Sequence, residues 1–460
     1  MQQLSRRGGW RRASSTGYSP ARPPGPREHY PGAHLVALVT DKLRLFSEMA
    51  RYGDVSAIRL GPVRLVLLTH PDDIRRMLVT EQRKFIKGRA LERTRPLLGN
   101  GLLTAEGDQH LRQRRLVQPA FHRERIAIYG AAMVEIAAAT GERWRDGESL
   151  DIHTEMMRLT LGIAGRTMFD VDVEKEAGVV HEALDLSLRM FSLSVLPMGW
   201  LLEHVRVGWV RDMWAARRRM NDLITRLIAE RRADSSDRGD LLSMLVAAQD
   251  DGVGMSDEQL RDEIVTLLLA GHETTANALT WTWYLLSRHW DVERRLHAEL
   301  DEVLGGRLPV PADVPRLQYT RRVLTEAMRL FPPAWMVTRR AIEPFEAGGH
   351  VIAPGTSVLA SQYLVHRDRR WWRDPDCFDP ERWREEHQPA RPRFAYFPFG
   401  GGTRICVGEQ FAWTEGILVL ATLAQQWSAC YEQQRPPVPE PLVTLRPRGG
   451  LRMRMRRRAR

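Results

Sequence analysis

Residues 397–412 read FPFGGGTRICVGEQFA, and they set Cys406 behind Gly400, Gly401 and Gly402 and ahead of a predicted helix. Structural zinc takes about four ligands. No second Cys or His stands at zinc-like spacing from Cys406. A lone thiolate can instead be the single protein ligand of haem iron. The three glycines let the backbone turn tightly and approach a flat cofactor, and Gly408 permits the same approach on the other side. Loop N–H groups aimed at the sulfur, and the positive end of the following helix, favour the charged form. Taken in isolation, Cys406 reads more simply as a buried inert thiol, the usual state of a free cysteine.

A second polar group stands where an apolar one is expected. The stretch from Ser256 to Trp290 has no proline, and Ser256 with Gln259 makes a capping box at its start. A helix of about 35 residues at 1.5 Å per residue spans roughly 50 Å, the width of a whole domain. It is apolar on most sides and so predicted to be buried. Its middle nevertheless reads Gly271-His272-Glu273-Thr274-Thr275. Glycine costs about 1 kcal/mol in a helix, and an uncompensated buried carboxylate several. A site at that midpoint and a kink with a satisfied polar cluster both fit. Two further pairs share helix faces: His110 with Arg114, four apart, and Glu326 with Arg329, three apart. Alone, the second pair is worth under about 1 kcal/mol as a surface ion pair.

The elements that must carry these residues are mostly helical. A Pro/Gly lead-in covers residues 21–32, and two short strands flank Gly61-Pro62. Helical periodicity dominates from about 108 to 330. After Pro332 alternation and turn signals predict a small sheet, then a Pro/Asp/Trp-rich loop over 370–399 and a helix from just after Cys406 to about Trp427. The fold class is mainly α with a small β-rich part.

The net charge of +11 suggests a nucleic-acid or membrane partner until it is located. Residues 1–30 carry six Arg against one acid, and residues 446–460 eight Arg and none, which leaves 54 basic against 56 acidic residues between. The excess is therefore expected in two mobile ends: a basic flexible extension over 1–30 and an Arg-rich tail over 451–460. No recognition fold accompanies these charges, so no nucleic-acid partner is expected. Three cysteines with no paired spacing fit a reducing compartment. No apolar run is long enough for an integral membrane anchor. A cytoplasmic protein is expected.

Phe399-x-x-Gly402-x-Arg404-x-Cys406-x-Gly408 resembles the haem-binding loop of the cytochrome P-450 family. Gly271-x-Glu273-Thr274 resembles the oxygen-binding groove of that family's central helix. Glu326-x-x-Arg329 and Phe378-x-Pro380-Glu381-Arg382 resemble its charge pair and the loop that bonds it. The four motifs stand in the family's order, and the resemblance covers one domain over residues 31–450.

The resemblance implies a soluble, bacterial-type haem-thiolate monooxygenase with haem b (iron protoporphyrin IX) on Cys406. It would hydroxylate or epoxidise a lipophilic terpenoid, fatty acid or polyketide-like molecule. Electrons would come from NAD(P)H through ferredoxin reductase and a separate ferredoxin, since no redox domain is fused. It gives Phe399 a place beside the sulfur, and Glu273 with Thr274 a proton-delivering role where dioxygen is split. It offers His110, Arg114, Arg339 and Arg404 as cations for the haem propionates. Glu326, Arg329 and Arg382 would lock the scaffold. The substrate pocket would be walled by Leu98 and Leu102, the turn after Phe191, Ala270 and Trp335. A haem-thiolate peroxygenase, dehydratase or isomerase is the alternative, and Thr274 counts against it, because such members commonly lack this alcohol.

Overall fold

The computed structural model describes residues 22–170, 208–234, 236, 238–387 and 391–459. Its centre is the helix Asp257–Arg288, 32 residues long. The predicted capping box is present: Ser256 Oγ accepts from Gln259 N, and Gln259 Oε1 accepts from Ser256 N. The helix is buried along almost its whole length, because Leu, Ile, Ala and Trp surround it. Trp281 stacks on Phe331 with ring centroids 4.0 Å apart. The helices Ile152–Phe169, Gln318–Leu330 and Glu409–Ala424 lie against it and share its apolar core. No helix among the described residues is long and apolar enough to cross a membrane.

A five-stranded sheet lies to one side, in the order Val55–Leu60, Val63–Leu68, Ser357–Ala360, Val337–Ala341, Phe85–Lys87. Only the second and third of these strands pair in parallel. The hairpin at its edge turns on Gly61, whose φ of +59° suits glycine. The Pro/Gly lead-in is not free where it is described: Ala57 N donates to Pro24 O at 2.8 Å. A Cβ on Gly25 would stand 1.9 Å from the Ala57 carbonyl oxygen, so the chain passes tightly there.

The Arg-rich carboxy end corrects the expectation of a mobile tail. Arg452–Arg457 is the middle strand of a three-stranded sheet, between Trp427–Tyr431 and Ser149–Asp151. The sequence alternates Arg and Met, and a strand sends alternate residues to opposite faces. Met453 and Met455 are fully buried while the arginines point outward. Arg458 then pairs with Asp301 at 2.8 Å.

Candidate active site

The loop around Cys406 is shaped by its glycines, but against protein. Gly402 has φ +72°, and a Cβ there would stand 1.9 Å from Leu78 O. A Cβ on Gly401 would strike the Phe394 ring at 2.7 Å. These two glycines therefore seat the loop on its neighbours, where the sequence had suggested contact with a cofactor. Gly408 is different: a Cβ there would meet only Phe121, at an ordinary 3.6 Å. Cys406 N donates to Phe399 O at 3.0 Å. Phe399 packs on Trp413, centroids 5.6 Å apart, and the Arg321 guanidinium lies 4.8 Å over that indole.

The sulfur has an open face, yet it sits so deep that burial pushes its thiol up to about 11. A side chain that is both enclosed and accessible faces an interior space. The Gly408 N–H bonded to the sulfur and the cationic Arg114 lower the thiol again, while Glu409 raises it. A helix does begin at Glu409, as the sequence suggested.

The central helix passes over this region. Glu415, on the helix that follows the cysteine, hydrogen-bonds Thr275. One turn away the central helix is open: Ala270 is exposed and Thr274 half-buried among otherwise buried residues. Thr274 Oγ1 donates to Ala270 O at 2.7 Å. Gly271 lets the helix Ile152–Phe169 approach, since a Cβ would touch Met168 Cε at 3.0 Å. His272 is buried, its Nδ1 2.9 Å from Leu268 O, and Thr160 Oγ1 donates to its carbonyl at 3.0 Å. Glu273 is buried and turns away from Thr274: its Oε1 accepts from Thr444 Oγ1 at 2.7 Å. Thr444 also accepts from Asn277 Nδ2 at 3.0 Å. The acid and the alcohol are neighbours in sequence that serve different networks.

To one side stands an enclosed group of basic side chains. His110 is buried, and burial together with Arg404, Lys87, Arg114 and Arg339 pushes its imidazole down to about 3. Burial and Arg404 push Arg339 down to about 10, and burial and the same arginine take Lys87 to about 6. Glu106 acts on Lys87, Arg339 and Arg404 alike, and Arg404 binds it as an ion pair. Arg404 also donates to Ala105 O, and Arg114 to Ile405 O at 2.6 Å, so both clasp the 105–114 segment to the cysteine loop. Lys87, Arg95 and Glu106 were not among the residues singled out from sequence. Lys87 ends a three-residue strand, and nothing local distinguishes it from a solvated lysine.

Among the described residues no three His, Cys, Asp or Glu are placed to hold a metal ion. A metal at Cys406 would therefore take most of its ligands from a macrocycle. Enclosed basic side chains that outnumber the acids beside them suit the carboxylates of that macrocycle. On both counts these residues fit haem.

The remaining expected residues divide. Glu326 and Arg329 are both fully buried and doubly bonded, at 2.9 and 2.8 Å, in place of the surface pair expected from spacing alone. Arg382 Nε donates to Glu326 at 2.8 Å, as do Trp383 Nε1 at 2.8 Å and Asp379 N at 3.1 Å. Leu98 and Leu102 are buried beside the central helix. Trp335 is no pocket wall: it packs on Phe46 in a separate core, and its indole N–H reaches Leu442 O at 3.1 Å. Phe191 lies outside the described residues.

A family model for cytochrome P-450 matches residues 23–453. The chain is 42% identical to cyclooctatin synthase of Streptomyces melanosporofaciens, over 91% of each chain. It is 38% identical to cyclooctat-9-en-7-ol 5-monooxygenase of the same organism, over 86% of each. The crystal structure of the cytochrome P450DA haem domain superposes with a TM-score of 0.85 at 29% identity, covering 95% of this chain and 98% of that one.

Proposed function

The chain belongs to the cytochrome P-450 family and is a haem-thiolate monooxygenase, and we propose that Cys406 is the residue that holds its haem. The observation that carries this reading is a sulfur both enclosed and open, beneath a central helix notched at Ala270 and flanked by enclosed basic side chains. Bound haem b supplies dioxygen activation, and electron density from a thiolate favours O–O scission. The chain's own residues set the conditions for it. His110, Arg339 and Arg404 would hold the propionates, with Lys87 beside them, and Arg114 holds the cysteine loop through Ile405 O. Phe399, fixed by Trp413, limits water at the sulfur. Thr274 holds its hydroxyl proton at the notch of the central helix, where dioxygen is cleaved. Glu273, turned from Thr274 and bonded to Thr444, stands apart from that proton.

The enzyme acts on a lipophilic substrate and takes electrons from a redox partner. We assign the substrate to the polycyclic terpenoids, because the curated relatives are a cyclooctatin synthase and a monooxygenase of the ring alcohol cyclooctat-9-en-7-ol. The reaction is then insertion of one oxygen atom into a C–H or C=C bond of that skeleton. Leu98, Leu102 and Ala270 supply apolar wall. A ferredoxin, reduced by NAD(P)H through its reductase in the cytoplasm, is the proposed donor.

Carbon monoxide on the dithionite-reduced protein tests the reading. The expected result is the red-shifted Soret band of thiolate-ligated haem, abolished in Cys406→Ala. A band typical of neutral-ligand haem in the native protein overturns it.

A further inference from the structure

The segment that carries Leu98 and Leu102 hangs between acidic side chains and basic ones. Its amide hydrogens go to carboxylates on the first turns of the central helix. Asn100 N donates to Asp262 Oδ2 at 2.7 Å, and Leu102 N to Glu263 Oε2 at 2.9 Å. Its carbonyls go to cations: Lys87 Nζ donates to Leu102 O at 2.9 Å and also to Leu103 O, and Arg95 to Thr104 O at 2.9 Å. Leu102 is therefore held at both ends of one residue, by Glu263 at its N–H and by Lys87 at its C=O.

Two glycines make the approach possible. A Cβ on Gly99, at φ +71°, would stand 2.1 Å from the Asp262 carboxyl, and one on Gly101 would stand 2.4 Å from Thr266 Oγ1. Glu263 is fully buried and its Oε1 has no hydrogen-bond partner, as is true of Thr266 Oγ1. A fully buried carboxyl with one oxygen unbonded is costly to keep, and replacing it with Leu would fill the same space. What the carboxyl provides here is the hydrogen bond to Leu102. Burial raises Glu263 to about 7 and lowers Lys87 to about 6, so both groups are expensive in their charged forms. Glu263, Thr266, Ala270 and Thr274 follow one another at helical spacings of three and four, so they share a stripe of the central helix. The bracket thus ties the wall to the face that opens at Ala270, while Lys87 joins it to the cations on the haem side.

We propose that Glu263 and Lys87 are positioning residues that bracket Leu102 and so set the fit of the apolar pocket wall. The inference rests on the pocket reading given above. Lys87 makes the wall sensitive to the haem side, because the lysine that holds the Leu102 carbonyl stands among Arg404, Arg339 and Arg95. The wall is a backbone suspended from two side chains.

The test uses the haem-loaded full-length protein and two iron-binding probes, imidazole and 4-phenylimidazole, read by optical titration. Imidazole reports the iron alone, and the phenyl ring reports the wall. Glu263→Leu is expected to weaken 4-phenylimidazole at least tenfold and imidazole less than twofold, and Glu263→Gln to restore the native ratio. Lys87→Met should shift the ratio likewise, with the double variant no worse than either single one. Hydrogen exchange of peptides spanning residues 98–104, with or without haem, should quicken at least tenfold in Glu263→Leu and stay native in Glu263→Gln. An unchanged ratio and unchanged exchange in Glu263→Leu overturn the proposal, as does failure of Glu263→Gln to restore both. Loss of the thiolate band in native protein refutes the haem-thiolate reading instead, and the exchange measurement still reports on the bracket.

Discussion

Thr274 is the one hydroxyl of the central helix at its notch, and it donates to the carbonyl of Ala270. Removing it leaves the helix bonded and the haem site whole. Thr274→Ala is expected to consume NAD(P)H at a near-native rate while most of the electrons leave as hydrogen peroxide, measured as product formed per NAD(P)H oxidised. Unchanged coupling would remove Thr274 from the proton path. Glu415 gives a prediction about stability. Burial raises its carboxyl to about 8, partly offset by the Thr275 hydrogen bond, and its Oε2 has no partner. The folded state therefore binds a proton that the unfolded chain releases near pH 4.5. Stability from this group is full below that pH and is lost as pH rises toward 8. Glu415→Gln lacks this loss, so its gain in Tm should widen steadily from pH 5 to pH 8. Cys406 was legible because its setting is local: ten consecutive residues carry the pattern. Lys87 and Glu106 were not, because their meaning arises where strand, loop and cysteine segment meet. The direction of Glu273 was equally hidden, since its partner Thr444 lies 171 residues away.

At the level of elements, the central helix was readable from its capping box and its unbroken apolar run, and it ends within two residues of the expected limit. The helix Gln318–Leu330 was readable as a helix, but the strength of its Glu326–Arg329 pair was not. Spacing alone gives a surface bridge. The structure closes it with five donor bonds to Glu326, from Arg329, Arg382, Trp383 and the Asp379 amide. Arg329 in turn donates to the carbonyls of His366, Pro375 and Cys377. Breaking one partner leaves a buried charge uncompensated, a loss of about 3–5 kcal/mol. Glu326→Ala is therefore expected to cut the denaturant midpoint sharply and to yield haem-poor protein. A midpoint within error of the native one would show that the loop 375–383 is held by other means.

For the molecule as a whole, the general layout of helices with a minor sheet was legible, and the two ends were not. Counting charge over residues 446–460 hid the alternation RMRMR, which is a period-two strand with methionine inward. The strand it forms joins Trp427–Tyr431 to Ser149–Asp151, in registers Ala429 to Met455 and Leu150 to Met453. Deleting residues 452–460 removes the middle strand and two fully buried methionines, each worth about 2–5 kcal/mol on truncation to alanine. The deleted protein is expected to be insoluble or to lose its cooperative thermal transition. A truncated chain that melts like the intact one would mean that the two flanking strands hold without it.

That closing strand also fixes the order in which the molecule can be completed. Its two neighbours, Ser149–Asp151 and Trp427–Tyr431, lie far apart in the chain, and the strand that unites them is made after both. A nascent chain can form its helices early, but the seam joining residue 150 to residue 430 stays open until residues 452–457 have been made.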